Sequence, residues 1–576
     1  MTTTIAPLGS RHARQTPTPA SLAAFEVKAA LFRLRRSVVE LGRAPPRLAR
    51  AASAAGYEHV VAQSVTGLWT DPALSEQAMQ LGKVQNLRRA AAALDGLELA
   101  PGAVFSFWRQ VGRATQARGF VRGRMLREGC LVPAVGGGLC QLSNALYDVA
   151  LAAGCRIVER HAHSAQVPGS AAAEERDATV AWNYVDLRFA TPDAMLLGVR
   201  LTDRDLIVSL RSRTPRVAVE GTAAAAASPA LRREAASCGS CDEVSCVLHE
   251  GGGRKAVAMG RRAFVVDEAW PEFRDFVAAG RGAGDVICAP VFRHWSAEGF
   301  VEAFAATPQG LVRSLGWRLT PPQGAARRSA DAGATAGIAA ALARRLPADA
   351  TELVVAQSLL PALWQAGALG GRRFSVLMTR LPIGVLQARL DGAYAAHPDR
   401  PTLSDYRADP AQAAAEAEAL AVAAEVVTPH AEIAALFGER VRVLDWRAPA
   451  PPMKAPARGE AFAFPGPTVA RKGAYELREA ARRLGATLRP LGAELEWPDF
   501  WRGVTLAPAP DGAWLEGVRA VVHPVLAEAA PRRLLEALAA GVPVIATAAA
   551  GIAPRPGLTL VPMGDVDALA AAMAAA

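Results

Sequence analysis

Apolar residues recur at helical spacing after residue 138 and then switch to the spacing of a strand. Six apolar or small residues lie at the i, i+3, i+4 and i+7 positions of one helix face: Leu142, Ala145, Leu146, Val149, Ala150 and Ala153. Gly154 is placed to end this helix. Residues 156–164 then alternate with a period of two, which predicts a strand with His161 and His163 on one face. A further β-rich run covers residues 176–189.

Beyond residue 260 the pattern changes to short apolar runs separated by longer helical stretches rich in alanine and arginine. The apolar runs lie at 263–266, 286–288, 353–356, 374–378, 425–427 and 441–444. This alternation is typical of a parallel α/β sheet. After a proline-rich turn at 448–452, a second α/β unit begins at 462–473 and closes with 521–524 and 541–547. Two such units facing across a cleft would place loops from strand ends around a ligand.

The length and composition indicate a globular protein with several domains. The chain has 576 residues, of which 51% are hydrophobic, and a chain of this length divides into about three or four domains. It has no uninterrupted apolar run long enough to cross a bilayer. The first twenty residues carry threonine, proline, histidine and arginine where a secretion signal needs an apolar segment. We therefore expect a cytoplasmic protein.

Positive charge is concentrated at the start of the chain. The formal net charge is +10, and residues 1–50 contribute +7 of it, with nine lysines and arginines against Glu26 and Glu40. Between Leu22 and Leu41, apolar residues recur at helical spacing with arginines between them. Such a helix would suit the anionic inner leaflet of a membrane, or equally a solvated position packed on the next domain. The sequence has no motif of a nucleic-acid-binding protein, so no nucleic acid partner is expected.

One cysteine, Cys140, lies between three glycines and the predicted helix. The sequence GGGLCQLSN at 136–144 places its thiol in the first turn, where unpaired N–H groups and the helix dipole favour a thiolate. His161 or His163 as the base, with Asp177 as the group that orients it, would complete the nucleophilic site of a hydrolase or acyltransferase. Two other interpretations stay open: Cys140 is a small core residue, or the two histidines and Asp177 bind a metal such as zinc.

The motifs of this region resemble those of a known family. FSFW at 105–108, GGGLCQLSN at 136–144, VERHAHS at 158–164 and RDATV at 176–180 follow one another as in the VanW family, named for vancomycin-resistance gene clusters. The resemblance covers residues 80–215. It implies a cell-envelope or antibiotic-resistance context and no particular reaction.

Three cysteines and a histidine cluster between two predicted linkers. Cys238, Cys241, Cys246 and His249 offer four soft ligands within twelve positions, enough for a tetrahedral zinc site. A pair of redox thiols or a reduced structural loop would account for the same residues. The linkers are residues 221–230, which are rich in alanine with a serine and a proline, and the three glycines at 251–253.

A second resemblance lies near the end of the sequence. Glu528 and Glu536, separated by seven residues and followed by ALAAGVPVI at 537–545, resemble the nucleotide-sugar half of retaining GT-B glycosyltransferases. The resemblance implies that Glu536 holds the ribose of a nucleotide-diphosphate sugar and that Glu528 lies beside the donor sugar. It also implies that Lys472 meets the diphosphate. The residue types agree with these roles, because cations suit phosphate and carboxylates suit hydroxyl groups.

The chain departs from that second family at several positions. Gly466 is followed by proline where the family has arginine, which removes a phosphate contact unless Arg471 replaces it. Two alanines follow Glu528 in place of an aromatic residue and a glycine. Gln357 stands where the family has a histidine, and no glycine-rich phosphate loop is evident in the first half. A degenerate module that only binds its ligand is therefore the alternative to sugar transfer.

Together these features predict an α/β multidomain protein. Its predicted parts are a basic helical segment (1–79), an α+β VanW-like domain (80–215), a linker with the cysteine cluster (216–260) and two Rossmann-like α/β domains of GT-B type (261–450 and 451–576). The leading hypothesis is transfer of a sugar from a nucleotide-diphosphate sugar to an envelope glycan or lipid-linked acceptor. A thiol enzyme centred on Cys140 and a non-catalytic binding protein are the alternatives.

Overall fold

The computed structural model describes residues 18–42, 44–51, 54–71, 73, 76–127, 130–163, 177–216, 236–237, 246, 260–291, 295, 298–320, 325–405, 407–508 and 512–576. The chain divides into two compact units, Met1–Met259 and Gly260–Ala576. In these ranges, no helix is long and apolar enough to span a membrane.

The first unit combines helices with mainly antiparallel strands. Its helices are α1 (Pro19–Val39), α2 (Gln77–Leu94), α3 (Phe107–Val111) and α4 (Leu139–Ala152). Its strands are β1 (His59–Gly67), β2 (Leu97–Leu99), β3 (Val104–Ser106), β4 (Arg122–Arg127), β5 (Cys130–Val135), β6 (Arg156–Glu159), β7 (Arg188–Ala190), β8 (Met195–Leu201), β9 (Asp205–Ser212) and β10 (Ala236–Ser237). Antiparallel sheets form in the orders β1-β9-β8-β2 and β3-β7-β6, and β4 pairs with β5. Part of the predicted linker is thus a short strand, because β10 pairs in parallel with β5.

Helix α4 confirms the helix predicted from the apolar spacing. Gly138 precedes it with a φ of 97°, a left-handed conformation that suits glycine, and the apolar face is buried in the core of the first unit. Leu142 and Leu146 are fully buried there. Gly154 follows the end of the helix with a φ of 69°. The sequence therefore specifies both ends of the element that carries Cys140.

The strand predicted for residues 156–164 is shorter than expected, because β6 ends at Glu159. Its register against β7 shifts between Ile157 and Glu159. The Glu159 carboxylate forms an ion pair with Arg36 of α1, and residues 160–163 leave the strand conformation. The prediction that His161 and His163 share one strand face is therefore wrong.

Helix α1 packs through one face on the rest of the first unit. Ala29 is buried, and Arg33 Nε donates to the carbonyl oxygen of Trp182 at 3.3 Å. Arg36 pairs with Glu159. This docking by ion pair and hydrogen bond fixes which face of α1 remains exposed to solvent.

The second unit alternates strands and helices. Its strands are β11 (Arg261–Val265), β12 (Val286–Ala289), β13 (Glu302–Ala305), β14 (Ala350–Ala356), β15 (Arg373–Leu377), β16 (Glu425–Thr428), β17 (Val441–Val443), β18 (Ala461–Phe464), β19 (Thr487–Pro490), β20 (Thr505–Leu506), β21 (Val518–His523), β22 (Val544–Ala546) and β23 (Leu558–Leu560). Its helices are α5 (Pro271–Gly280), α6 (Thr307–Leu319), α7 (Ala325–Arg345), α8 (Leu360–Gln365), α9 (Ile383–Ala396), α10 (Pro410–Val422), α11 (Ala431–Phe437), α12 (Ala474–Leu484), α13 (Arg532–Ala539) and α14 (Val566–Ala575).

Both sheets of the second unit are parallel and doubly wound. The first has the order β13-β12-β11-β14-β15-β16-β17, and the second has the order β20-β19-β18-β21-β22-β23. In each sheet the strand order reverses beside the first strand, which is the Rossmann arrangement. The predicted pair of Rossmann-like domains is therefore confirmed. The edge strand β13 escaped prediction because it is only four residues long and its residues are exposed or partly exposed.

Candidate functional sites

The first candidate site lies where the order of the second sheet reverses, between β18 and β21. Ligands of doubly wound sheets bind at the carboxyl ends of the strands at this point. Gly466 and Lys472 follow β18, while His523 ends β21 and Glu528 lies in the loop beyond it. The topology therefore gathers these four residues at one sheet edge.

The carboxylate of Glu528 is the centre of this group. Its Oε2 atom accepts from Lys472 Nζ at 2.6 Å and lies 2.9 Å from His523 Nε2. Its Oε1 atom accepts from the main-chain N–H groups of Ala529 at 2.9 Å and Ala530 at 3.2 Å. The two alanines that replace the family's aromatic-glycine pair therefore still supply main-chain donors. The structure brings Lys472 and Glu528 together.

Burial and charge act against each other in this cluster. Burial alone would raise the pKa of Glu528, but the His523 hydrogen bond and the Lys472 charge hold that pKa well below its usual range. Burial lowers the pKa of Lys472, and the charge of Glu528 only partly offsets it. Burial also lowers the pKa of His523, so its neutral ring donates from Nε2. Its Nδ1 atom is buried and has no hydrogen-bond partner among the described residues.

Glycines allow this close packing. A Cβ atom on Gly466 would lie 3.2 Å from the His523 ring and 3.4 Å from Lys472 Cγ. Gly473 has a φ of 79°, and a Cβ there would overlap the carbonyl oxygen of Pro524. The carbonyl oxygen of Arg471 accepts from the N–H of Leu526 at 2.9 Å, which ties the lysine loop to the Glu528 loop.

Glu536 lies on α13, the helix after that loop. Its Oε1 atom accepts from the indole Nε1 of Trp514 at 3.1 Å. Gln357 is buried, and its side chain donates to Glu416 at 3.0 Å, so it belongs to the packing of the first half of the unit. Asp267 follows β11, at the position where a glycine-rich phosphate loop would lie. Its Oδ1 atom forms an ion pair with Arg313 Nη2 at 2.6 Å.

The second candidate site is a cysteine, a histidine and an aspartate in the first unit. His163 Nδ1 pairs with Asp177 Oδ1, and the main-chain N–H of His163 donates to Asp177 Oδ2 at 2.6 Å. The Sγ atom of Cys140 lies 3.6 Å from Thr179 Oγ1, and His163 is the side chain with the strongest effect on this thiol. Asn144 of α4 accepts from the N–H of Ala178 at 2.8 Å, which holds the Asp177 segment against the helix of Cys140.

The charges of this site favour a thiolate beside an imidazolium. Burial raises the pKa of Cys140, but His163 and the Thr179 and Val180 contacts reverse this and leave the pKa below its ordinary value. Burial would lower the pKa of His163, yet Asp177 and Cys140 raise it to about 10. By contrast, burial raises the pKa of Cys155 to about 12. Cys140 is therefore distinguished from an ordinary core thiol by its partners.

His161 lies apart from this group, which corrects its predicted role as a base or metal ligand. Its ring pairs with Glu159 at 3.2 Å, and its side chain is 46% exposed. Within the described ranges, no group of three His, Cys, Asp or Glu residues could hold a metal ion. Cys238, Cys241 and His249 lie outside those ranges and Cys246 inside them, so zinc at the cysteine cluster stays a prediction.

The first unit is similar to a known protein family. The model of the VanW like protein family matches residues 82–211. This region is a VanW-like domain. Over 133 residues it is 38% identical to the vancomycin B-type resistance protein VanW of Enterococcus faecalis, and over 129 residues it is 38% identical to the uncharacterized protein YoaR of Bacillus subtilis. Each match covers 22% of this chain but only 48% and 42% of the relatives, so the chain spans less than half of their length.

A second family is matched at the other end of the sequence. The model of the group 1 glycosyl transferases matches residues 500–576, so the second unit contains a group 1 glycosyltransferase domain. Among solved structures, the lipopolysaccharide outer core galactosyltransferase WaaB is 13% identical, with a TM-score of 0.31 over 54% of this chain and 88% of that chain. Anabaena HepE in complex with UDP and glucose is also 13% identical, with a TM-score of 0.33 over 55% and 89%. Both resemblances drawn from the motifs are confirmed.

The motifs of the VanW-like domain did not reveal every residue near Cys140. Lys83 of α2 is buried beside the glycine loop, and burial, together with the nearby Arg124, lowers its pKa to about 7. A Cβ on Gly137 would overlap the main chain of Gly123, and one on Gly138 would overlap Lys83. In the glycosyltransferase domain, His523 and Trp514 were also missed. A polar residue at the end of a predicted strand was the available signal for His523.

Proposed function

We propose that the second unit transfers a sugar from a nucleotide-diphosphate sugar to an envelope glycan or lipid-linked acceptor, with retention of anomeric configuration. The observation that carries the proposal is the Lys472–Glu528–His523 cluster at the switch point of the sheet that contains the group 1 match. The name of the Enterococcus faecalis relative, a vancomycin B-type resistance protein, supports the envelope context.

The cluster offers complementary groups to both ends of such a donor. Lys472 supplies a cation for the diphosphate, while Glu528 and Glu536 supply acceptors for sugar and ribose hydroxyls. In the transfer, the bond from the anomeric carbon to the diphosphate breaks and a bond to an acceptor hydroxyl forms. The proton of that hydroxyl leaves with the nucleoside diphosphate. Stabilising the departing negative charge is the role that Lys472 would have in this step.

Calorimetry with UDP-, GDP- and dTDP-sugars tests the proposal. We expect one class of donor to bind, and Glu536→Ala to weaken its binding by about tenfold or more because a ribose hydroxyl loses its charged acceptor. Glu479→Ala is the matched control, since Glu479 is an exposed carboxylate that pairs only within α12 with Arg483 among the ion pairs of the described residues. Absence of binding by every donor, or equal losses in both variants, would contradict the proposal.

We propose a second candidate function for the VanW-like domain: acyl transfer or hydrolysis through Cys140. The His163–Asp177 pair, together with the effect of His163 on the Cys140 thiol, favours it. The thiolate would attack an acyl carbonyl, and His163 would give its proton to the departing amine or alcohol. Water or another amine would then release the acyl group from the thioester and return the proton to His163.

We also propose that the protein is cytoplasmic and contacts the anionic inner leaflet through α1. Five apolar residues form an exposed stripe along the helix and the turn that follows it: Val27, Leu31, Leu34, Val38 and Leu41. Lys28 and Arg35 border this stripe, whereas Glu40 lies on the face that packs on the first unit. Apart from Glu26, the exposed side of α1 is thus apolar and cationic, which suits an anionic bilayer surface.

Vesicle sedimentation tests this contact. The protein should bind vesicles of phosphatidylcholine containing about one third phosphatidylglycerol more tightly than vesicles of phosphatidylcholine alone, and added salt should weaken the binding. Leu31→Gln combined with Leu34→Gln should reduce binding by about tenfold, because two leucines no longer enter the interface. Ala30→Gln, at an exposed position beside the stripe, is the control because it introduces the same glutamine without removing a leucine. Equal binding by all three proteins, or a dimer abolished by the leucine variant, would refute the contact.

A further inference from the structure

His430 joins the first half of the second unit to the loop that carries Glu528. It follows β16, and its side chain is fully buried. Its Nδ1 atom accepts from the N–H of Ile433 at 3.4 Å, which leaves the proton on Nε2. Nε2 lies 3.1 Å from the main-chain carbonyl oxygen of Glu528 and therefore donates to it. One ring thus caps α11 and also binds the donor-site loop.

The second half of the unit has a recess for this ring. A Cβ atom on Gly551 would overlap three atoms of the His430 imidazole. The carbonyl oxygen of Gly551 accepts from the N–H of Ala431 and from Trp446 Nε1, each at 2.9 Å. Main-chain and side-chain bonds from the first half therefore hold the ring against the glycine. Burial lowers the pKa of His430, which keeps the neutral ring that this pair of hydrogen bonds requires.

A second side chain from the first half binds the same loop. Arg389 of α9 forms an ion pair with Glu432, and its Nη1 donates to the carbonyl oxygen of Leu526 at 2.9 Å. The N–H of Glu528 itself donates to the carbonyl oxygen of Ala549, which follows β22, at 3.2 Å. The main chain on both sides of residue 527 is thus fixed by Arg389 and His430.

We propose that His430 and Arg389 are positioning residues for the donor site. By holding the carbonyl oxygens of Leu526 and Glu528, they orient the loop so that the Glu528 carboxylate meets Lys472 and the donor sugar. The proposal rests on the proposed sugar transfer and deepens it: residues of the first half determine the affinity for the donor, although none of the predicted donor contacts lies there.

The substitutions His430→Gln and His430→Asn separate the positioning role of His430 from its role as a helix cap. In His430→Gln the side-chain amide nitrogen reaches about as far as Nε2, so it can still donate a hydrogen bond to the carbonyl oxygen of Glu528. In His430→Asn the shorter side chain still caps α11, but its amide nitrogen no longer reaches that oxygen. We expect His430→Asn and His430→Phe to weaken donor binding by about tenfold or more, since a buried carbonyl loses its partner. His430→Gln should stay within about threefold of wild type.

Calorimetry with the donor, steady-state kinetics and amide hydrogen exchange of the whole protein measure these effects. The Asn and Phe variants should raise the donor KM without changing the acceptor KM, and should speed exchange of the amides at 526–530; the Gln variant should do neither. Asn and Gln variants that behave alike, or unchanged exchange in the Phe variant, would overturn the inference. Failure of wild type to bind any donor would instead overturn the proposed function, and the exchange experiment would still decide the role of His430.

Discussion

Replacing Glu528 by glutamine should lower kcat/KM for sugar transfer by about a hundredfold or more and also destabilise the second unit. The carboxylate is the counter-charge of Lys472, whose side chain is only 10% exposed. Removing one partner of a buried ion pair leaves the other charge uncompensated, which costs about 3 kcal/mol. The same change removes a charged acceptor for the donor sugar. Urea unfolding and donor calorimetry measure the two effects separately.

The double variant Lys472→Met with Glu528→Gln separates stability from function. Because no buried charge is left without a partner, most of the lost stability should return, while donor binding should stay as weak as in Glu528→Gln or become weaker. Recovery of donor binding in the double variant would contradict the role given to the pair. So would full activity in Glu528→Gln.

The pH dependence of the same variants has a definite sign. A carboxylate whose folded pKa is depressed stabilises the protein above its unfolded pKa of about 4.3, and this stabilisation is lost as pH falls toward the folded value. The difference in unfolding free energy between wild type and Glu528→Gln should therefore be constant near neutral pH and shrink below about pH 4.

Alkylation of Cys140 by iodoacetamide should be faster near neutral pH than that of an ordinary thiol, and His163→Gln should slow it by about tenfold to a hundredfold. The His163 imidazolium lowers the thiol pKa against the effect of burial. Without that cation, burial alone determines the pKa and the thiolate fraction falls. Because the His163 pKa is raised to about 10, the stabilisation from this pair is complete below the ordinary histidine pKa of about 6.5 and is lost as pH rises through about 10.

Mass spectrometry of each cysteine provides internal controls for this experiment. Cys155 should resist the reagent, since burial raises its pKa to about 12. His161→Gln is the matched control, because His161 pairs with Glu159 and belongs to the same segment. If His161→Gln slowed the reaction and His163→Gln did not, the assignment of His163 as the partner of Cys140 would be wrong.

The apolar pattern predicted the second unit well because parallel strands are buried on both faces. Its apolar runs mark six of the seven strands of the first sheet and β18, β21 and β22 of the second, whereas β13 and the short strands β19, β20 and β23 were missed. The strand after α4 was predicted too long because alternation alone cannot show that Glu159 turns toward Arg36, a residue 123 positions earlier. Long-range ion pairs leave no periodic signal in a sequence.

The candidate sites were predictable to the extent that motifs carried them. Cys140, His163 and Asp177 lie close together in sequence, and the fold brings them into contact. No sequence motif contains the histidines of the second unit, His430 and His523. His430 is nearly a hundred residues from Glu528, and its importance depends on which loop faces it. Burial against another main chain can be seen only in three dimensions.

The packing of the glycine loop limits how the VanW-like domain can vary. The space beside Gly137 is filled by the main chain of Gly123, and no mutation elsewhere can make a main chain smaller. A larger residue in the loop therefore has no compensating partner, unlike a substitution in an ordinary side-chain core. On the side of His163, exchanges of side chains can change the surroundings of the Cys140 thiol in small steps. On the side of the glycine loop, a single larger residue would disrupt the packing of the whole loop.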